Sequence, residues 1–332
     1  MQCRSWRAPL VASVCVAFCP GAHGAALPDH DLSPLIATLG LPRADEGANL
    51  LPAAGWRFST SIATASHSSQ QSAGNESLSI DGETTRVGMR FDYGISERLQ
   101  LGVELPWLWN ESGGLDSFIE TWHDWFGLPN GFRDLVANNQ LDFSYRDNGV
   151  ERLAYQQNRN GLGDVRLLAA WQLQRDAQRT TALRASLQLP TGASSKLTGS
   201  GATVLSVGIA GEHDNLFDSP RWSGFYRASL VLRDKQDRLP DRARRSIAVL
   251  AGGVSARTST WLELTMQATL RSAAYDSDLR MLGETALLLN VGGTLTLSNT
   301  LQLAVAVGED VRVNTAPDVT LALSLRYTPA ER

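Results

Sequence analysis

Apolar and polar residues alternate along most of the chain. One clear stretch runs Leu99-Gln100-Leu101-Gly102-Val103-Glu104-Leu105, and the same alternation returns at 319–327. Because successive side chains of a β-strand point to opposite faces, each such segment requires one apolar and one polar surrounding. When many strands share the pattern, a closed barrel with lipid outside and water or packed polar groups inside satisfies both faces. The alternation therefore predicts an all-β fold, a transmembrane antiparallel up-and-down β-barrel.

About 12 segments qualify as strands, and most are about ten residues long, which suffices to cross a bilayer when tilted. The predicted strands are 54–67, 83–95, 97–109, 163–174, 180–190, 202–212, 221–233, 243–256, 259–273, 280–297, 300–308 and 317–327. Long connections, such as 68–82 and 110–162, alternate with tight turns such as 175–179. Long outer loops and short inner turns are typical of outer-membrane barrels, so both ends of the barrel chain are expected on the periplasmic side.

Aromatic residues favour a membrane over a soluble alternative. Five of them lie near the predicted inner strand ends on the apolar face: Trp56, Tyr93, Trp171, Trp222 and Tyr327. Trp and Tyr prefer the membrane interface because their rings are partly apolar and can also form hydrogen bonds. A secreted β-sandwich also alternates. Its single shared core could not cover the apolar faces of so many long strands.

The first 24 residues have the features of a secretory signal. Arg4 and Arg7 precede an apolar run at 10–18, and small residues follow at the cleavage-site positions Ala22 and Gly24. All three cysteines lie within it, so the mature chain can form no disulfide scaffold and no thiolate metal site. Removal of the signal changes the formal charge of the chain from -4 to -6. A chain with this acidic charge offers no basic surface for nucleic acid. We therefore expect export through the periplasm to the outer membrane of a Gram-negative bacterium.

Two further regions complete the predicted domain organisation. Residues 25–53 contain four prolines and few aromatic residues, which indicates a periplasmic N-terminal extension. Residues 54–332 form the barrel. Within the long loop 110–162, apolar side chains at helical spacing predict a short amphipathic helix that enters the lumen as a constriction or lies at the outer-leaflet interface. The residues of this outer loop are Phe118, Glu120, Trp122, His123, Asp124, Trp125, Phe126 and Phe132.

The same loop carries the clearest family resemblance. The stretch from Phe118 to Asp134, together with 50–55, 81–84 and 101–106, resembles a Gram-negative outer-membrane family known as domain of unknown function 3187. The resemblance covers most of the mature chain. It implies an outer-membrane barrel, and it implies no substrate, reaction or functional residue.

Chemistry in the loop and elsewhere is limited. Glu120, His123 and Asp124 have a spacing that could present three ligands to zinc, but such a trio is more often the wet face of an amphipathic helix. His67 stands beside Ser68 and Ser69, which raises a lipid-modifying enzyme as a remote alternative, since a Ser–His pair requires hydrogen-bond contact and an orienting group. We expect no catalytic residues, metal or cofactor.

The polar face of the strands carries many charges. The strand phase directs inward Arg86, Arg90, Asp92, Glu104, Asp164, Arg166, Arg184, Arg227, Glu263, Arg271, Glu284 and Arg326. Since an unpaired buried charge costs several kcal/mol, these groups must be hydrated or paired. If they are paired they fill the lumen, and if they are segregated onto opposite walls they select charged solutes.

The leading functional hypothesis is a porin-like passive channel for small polar or charged solutes, partly occluded by the 110–162 loop. The alternative is a structural or surface-interaction barrel with a sealed lumen. The expected partners are outer-membrane lipid, a small solute and the barrel-assembly machinery during biogenesis, with no nucleic acid, and the barrel is expected to be a monomer.

Overall fold

The computed structural model describes residues 26–114, 140–234 and 238–330, together with Thr121 and Trp125. These residues form strands and almost no helix, and none of their helices is long and apolar enough to cross a membrane. The strands are β1 (Trp56–Ala73), β2 (Glu76–Ser96), β3 (Leu99–Glu111), β4 (Asp142–Asp147), β5 (Val150–Tyr155), β6 (Arg159–Leu162), β7 (Val165–Arg175), β8 (Arg179–Leu189), β9 (Val204–Asp214), β10 (Trp222–Arg233), β11 (Ser246–Arg257), β12 (Leu262–Arg271), β13 (Ala286–Ser298), β14 (Leu301–Asp310) and β15 (Val319–Tyr327).

Twelve of these strands close into an antiparallel ring. β1 pairs with β2 on one side and with β15 on the other, and the ring continues through β3 and β7 to β14 in chain order. The β1–β15 seam runs in register from Phe58 opposite Tyr327 to Ser66 opposite Val319. Closure leaves no exposed edge in the ring, because each of its strands has a ladder on both sides. The predicted up-and-down barrel and its strand number are confirmed.

The alternation has the predicted phase. Along β3, Leu101 and Leu105 are exposed on the outer surface, whereas Gln100 and Glu104 are buried inside the barrel. At one end of the barrel short turns such as 97–98 and 299–300 connect the strands; we call this the turn end, and the opposite end the loop end. Trp56, Tyr93, Trp171, Trp222 and Tyr327 are all outward-facing near the turn end, with Trp56 only 5.6 Å from Tyr327 between ring centroids.

The first hairpin is longer than predicted. Residues 68–82 were expected to form a loop, but β1 and β2 stay paired to Ala73 and Glu76, joined by a two-residue turn with Gly74 at φ +55°. A glycine with positive φ suits such tight hairpins. The serines and glutamines here lack apolar alternation. The β1 half of this ladder therefore shows no alternation that would predict a strand.

Three strands lie outside the ring, all within the predicted loop 110–162. β4 pairs with the loop-end half of β2 and β5 pairs with β4, while β6 pairs with β3. A second difference is at 280–297, where Arg280–Gly283 forms a single helical turn and β13 begins only at Ala286. Both differences are at the loop end, where strands extend beyond the expected membrane and no longer need an apolar outward face.

Residues 26–53 fill the inside of the barrel. We call them the plug. The sequence pattern suggested an extension outside the barrel, yet most plug side chains are buried, including Leu27, Leu32 and Ile36. The plug rises along the wall towards the loop end, turns at 33–39 and descends to the turn end, where the Ala54 N–H donates to the Gly94 carbonyl and β1 begins. The extension expected at 25–53 is thus replaced, over its described residues, by a lumen segment.

Candidate functional site

The rising arm of the plug runs beside β12. The backbone N–H of Leu27 donates to Gln267 Oε1 at 2.8 Å, and Gln267 Nε2 donates back to the Leu27 carbonyl at 3.2 Å. Two residues further along both the plug and β12, Thr269 Oγ1 donates to Asp29 Oδ2 at 2.7 Å. The next pair is an ion pair, in which Arg271 Nε donates to Asp31 Oδ2 at 2.9 Å. The inward side chains of one strand therefore hold this arm in parallel register.

The top of the plug forms an apolar seal at the loop end. Leu35, Ile36 and Leu39 belong to one buried cluster with side chains from the surrounding strands and loops. The cluster also contains the loop-end residues Leu78, Ile80, Phe143, Tyr145, Leu153, Tyr155, Leu239, Tyr275, Met281 and Leu282. Tyr275 Oη further donates to the Leu35 carbonyl at 3.3 Å. Burial of this apolar surface stabilises the top of the plug against the loop-end strands and loops.

The descending arm is held by a network of charges centred on Glu104. This carboxylate of β3 accepts from Arg43 Nη1 of the plug at 2.8 Å, from Arg86 Nη2 at 2.7 Å and from Arg166 Nη1 at 2.8 Å. Arg166 also pairs with the plug residue Glu46 at 3.0 Å, as does Arg227. Arg166 thus bridges a wall carboxylate and a plug carboxylate, and the charges are paired across the plug surface.

Below this network the wall binds the plug backbone. Arg184 Nη2 donates to the Gly47 carbonyl, and Gln172 Nε2 donates to the Ala48 carbonyl at 3.3 Å. Glu212 accepts from the Ala48 N–H at 2.5 Å. Gln100 Oε1 accepts from the Leu51 N–H at 2.9 Å. Inward side chains here satisfy backbone groups that have no ladder, as buried peptide groups require.

The electrostatics of the plug follow from this burial. Burial alone would raise the pKa of Glu46, but the charges of Arg166 and Arg227 outweigh it and hold that pKa well below its usual range. Asp29 lacks an arginine of comparable effect, so burial and then the charge of Asp45 raise its pKa from 3.8 to about 6. For His30, burial and the nearby charges of Arg86 and Arg43 lower the pKa well below 6.5. The plug therefore carries both firmly ionised and readily neutralised groups.

Two small cavities lie between the plug and the wall. One cavity of about 80 Å³ is lined by Arg57, Arg90 and Arg326 on the wall and by Asn49 on the plug, among others. A second, of about 60 Å³, lies nearer the loop end and is lined by residues such as His30 and Leu108. A buried water needs roughly 10–15 Å³ measured this way, so each cavity has room for roughly four or more waters. In this conformation the described part of the lumen is filled by the plug.

Most of the predicted lumen residues lie in this site. Nine of the twelve are buried inside the barrel: Arg86, Arg90, Asp92, Glu104, Asp164, Arg166, Arg184, Arg227 and Arg271. Arg326 lines the larger cavity, and Glu263 lies 4.0 Å from Arg257 near the turn end. Glu284 does not line the lumen, because the strand begins after it; it is half-exposed in a loop and pairs with Arg312. Asp164 binds loop groups, including the Ser200 N–H at 2.7 Å.

The plug partners were missed because residues 26–53 do not alternate as a strand does. Asp29, Asp31, Arg43 and Glu46 are the charged groups concerned. Two sequence signals could have found them. The segment contains apolar residues, such as Leu35 and Ile36, that an exposed extension would leave in water. The inward faces of the strands also carry long amides, such as Gln267 and Gln100, which suit recognition of an irregular backbone.

The remaining candidates contribute little to the site. Of the predicted outer-loop residues, Phe118, Glu120, Trp122, His123, Asp124, Phe126 and Phe132 lie outside the described residues, and Trp125 has a helical backbone conformation with 73% of its surface exposed. His67 is buried in β1, with Nε2 3.1 Å from Thr84 Oγ1 and its ring against Phe143. Its strand neighbour Ser68 points to the opposite face. Within the described residues no group of His, Cys, Asp and Glu is arranged to hold a metal ion.

The fold is similar to those of known outer-membrane proteins. The COG4313 outer membrane channel from Pseudomonas putida F1 superposes with a TM-score of 0.57 at 13% identity, covering 85% of this chain and 98% of that one. The KdgM porin gives 0.44 at 10% identity, covering 82% and 99%. The translocator domain of autotransporter NalP from Neisseria meningitidis gives 0.47 at 10% identity, covering 86% and 91%.

The first likeness shows that the barrel has the fold of an outer-membrane channel. No curated protein matches the sequence. The family model described as "Protein of unknown function (DUF3187)" matches residues 23–328, nearly the whole chain after the predicted signal, and the chain belongs to this family.

Proposed function

We propose that the protein is an outer-membrane channel for small polar or charged solutes, and that the plug closes it in the conformation described. In this arrangement the turn end faces the periplasm and the loop end faces the outside, as the short turns and long loops of such barrels indicate. The observation that carries the proposal is how the plug is held. Its contacts with the strands and loops are side-chain hydrogen bonds, ion pairs and apolar packing, including the loop-end seal, and the ring closes through β1 and β15 without it.

A plug held in this way can leave the lumen without breaking a barrel ladder. Its departure would expose a wall rich in arginine, carboxylate, glutamine and serine side chains, all of which water hydrates well. If the plug never left the lumen, the inner wall could be apolar, because well-packed apolar side chains are often more stable in a protein interior than buried ion pairs. The charged wall therefore favours passage of polar solutes over a purely structural role.

A backbone variant of the full chain tests the proposal. Gly40 lies in the plug at φ +57°, and a Cβ there would also overlap the Gln188 carboxamide, so Gly40→Val should displace the plug. We expect frequent conductance steps in planar lipid bilayers for Gly40→Val and only rare ones for the unaltered protein. Gly149→Val is the matched control, since Gly149 has φ +75° but lies in open space in the β4–β5 turn.

A covalent lock provides the converse test. The side chains of Asp29 and Thr269 touch, and no cysteine is present after residue 19, so Asp29→Cys with Thr269→Cys would join plug and wall under oxidation. Oxidation should abolish the openings of the Gly40→Val protein, and reduction should restore them. Single-cysteine versions control for the substitutions. A folded Gly40→Val protein that never conducts would contradict the channel and favour the sealed structural barrel, which the apolar seal at the loop end also supports.

A further inference from the structure

Four wall arginines, together with Arg43 of the plug, line the larger lumen cavity near the turn end. Arg57 lies on β1, Arg90 on β2, Arg184 on β8 and Arg326 on β15; we call them the arginine vestibule. Three of them are neighbours on the wall, because Ser59 of β1 stands opposite Arg90 on one side and Arg326 on the other, with Arg57 two residues along β1. Four permanently charged guanidinium groups thus converge on one cavity.

One carboxylate belongs to this group, and its bonds are already in use. Asp92 accepts two bonds from Arg90, at 2.9 and 2.8 Å, and a third from Gln100 at 3.0 Å. Arg57 Nε stays 3.6 Å from Asp92 Oδ2, too far for a good hydrogen bond. Asp92 therefore provides a single negative charge for two of the four wall arginines, Arg90 in direct contact and Arg57 at the longer distance.

The other carboxylates at this cavity are bonded elsewhere. Glu104 and Glu46 pair with the arginines of the central network, Asp45 accepts from Arg43, and Glu212 accepts from the plug backbone. Arg184 gives Nη2 to the Gly47 carbonyl, while its Nε is buried without a hydrogen-bond partner. Among the described residues none forms an ion pair or hydrogen bond with the side chain of Arg326. The vestibule has more positive charge and more donors than its surroundings use.

We infer that the arginine vestibule binds a small oxyanion, of the phosphate, sulfate or carboxylate class. Uncompensated charge enclosed by protein is costly, and a bound anion would relieve it. The planar fork of a guanidinium matches two oxygens of a phosphate or carboxylate. Ser59 and Gln302 at the same cavity add neutral donors. The volume of about 80 Å³ equals that of roughly five or more waters, which accommodates inorganic phosphate.

Binding of an anion to the vestibule does not require conduction, whereas an effect of the vestibule on solute selectivity does. As a selectivity site on the permeation path, the vestibule rests on the proposed channel function. As a binding site it exists in the closed conformation, because plug and wall residues together form the cavity. Phosphate binding to the closed protein is therefore measured separately from conductance. A protein that binds phosphate but never conducts would contradict only the channel, and one that conducts but does not bind phosphate would contradict only the anion site.

Equilibrium binding of radiolabelled inorganic phosphate tests the site. The full protein in detergent at low ionic strength should bind phosphate saturably, and Arg57→Gln with Arg326→Gln should weaken binding at least tenfold. Arg57→Lys with Arg326→Lys keeps the charge but removes the fork, so an intermediate affinity is expected. Circular dichroism checks that every variant retains its strands.

A matched double variant controls for general loss of positive charge. Arg245 and Arg280 are exposed at the loop end, away from the cavity, so Arg245→Gln with Arg280→Gln should leave phosphate binding within twofold of the unaltered protein. An equal loss in this control would mean non-specific attraction and would overturn the inference. Absence of saturable binding to the folded, unaltered protein would overturn it as well, whatever the conductance experiments show.

Discussion

The carboxylate of Glu104 accepts hydrogen bonds from arginines on three different elements. Arg43 comes from the plug, Arg86 from β2 and Arg166 from β7. A carboxylate in this position joins two wall strands to the plug with charge-assisted bonds, which are roughly twice as strong as neutral ones. The Glu104 side chain is 1% exposed, so water cannot replace a partner that is lost.

Replacing Glu104 by glutamine should therefore destabilise the protein severely. The amide keeps the shape but removes the charge that three buried guanidinium groups share, and Arg86 has no other carboxylate partner among the described residues. Breaking a buried pair costs about 3–5 kcal/mol. We expect a loss of that size in the free energy of unfolding by urea from lipid vesicles. Glu151→Gln removes an exposed carboxylate paired with Arg146, and its expected effect is below about 1 kcal/mol. Equal losses for the two variants would contradict the central role of Glu104.

The protonation of Asp29 gives the plug a dependence on pH. Its pKa is about 6 in the folded protein, raised from 3.8 chiefly by burial, so between these values the folded state binds a proton that the unfolded state does not. Asp29 therefore lowers stability above pH 6, and this penalty disappears as the pH falls to about 4. The full difference is about 3 kcal/mol at 1.36 kcal/mol per pKa unit.

Comparison with Asp29→Asn isolates this effect. The free energy of unfolding of the unaltered protein minus that of Asp29→Asn should rise as the pH falls from 7 to 4. His30, whose pKa is lowered by burial, acts in the opposite direction below pH 6.5, but it is present in both proteins and cancels. A difference that is flat or that falls with decreasing pH would exclude Asp29 as the cause.

At the scale of elements, strands and plug are specified in different ways. A strand such as β3 is recognisable from its alternation alone, because lipid on one side and polar groups on the other impose a period of two. The plug has no such period, since it is surrounded by protein on all sides. Its position is determined instead by inward side chains of the wall. Gln267, Thr269 and Arg271 of β12 form hydrogen bonds with Leu27, Asp29 and Asp31 in turn.

The Gln267 contacts provide a test of this specification. Gln267→Leu removes both bonds to Leu27, which together contribute about 1–3 kcal/mol. Amide hydrogen exchange at Leu27 should accelerate roughly ten- to hundredfold, while the β12 ladder keeps its protection. Thr265→Val on the same strand loses a bond to Ser255 of the wall instead, so Leu27 should exchange at its original rate there. Unchanged exchange at Leu27 in Gln267→Leu would show that the arm is held elsewhere.

These differences explain what could be predicted from the sequence. The ring strands, the inward phase of Arg166 and Arg227 and the aromatic band near Trp56 all follow from a membrane environment that repeats along the chain. The ladder at 68–82 and the strands β4, β5 and β6 lie where no such environment imposes a pattern. The partners of the wall charges could not be predicted, because Glu46 and Arg43 are brought to Arg166 and Glu104 by an irregular segment.

For the whole molecule, the outward face of the ring is an apolar surface that lipid is expected to cover. Leu250 on β11 and Met266 on β12 are about half exposed, as are many outward side chains of the ring strands. Val150 is equally exposed but lies on β5, outside the ring at the loop end. Leu250 and Val150 are thus similarly exposed, but Leu250 is expected to face lipid and Val150 to face water.

Arginine substitutions distinguish lipid from water at these positions. Leu250→Arg should cost up to about 2–4 kcal/mol in unfolding from lipid vesicles, since a charge on the lipid face is penalised most near the bilayer midplane. Val150→Arg should change stability by less than about 0.5 kcal/mol, as surface substitutions in water usually do. Equal effects at the two positions would contradict the predicted placement of the membrane.

The seam between β1 and β15 has a further consequence, for the order of assembly. The plug precedes β1 in the chain, and the ring around it is completed only by the final strand. Until β15 pairs with β1, the barrel is an open sheet and the plug can reach β12 from the side. After pairing, entry is possible only through an end. The N-terminal plug is thus enclosed by the C-terminal strand, and pairing of β15 with β1 both closes the barrel and traps the plug inside it.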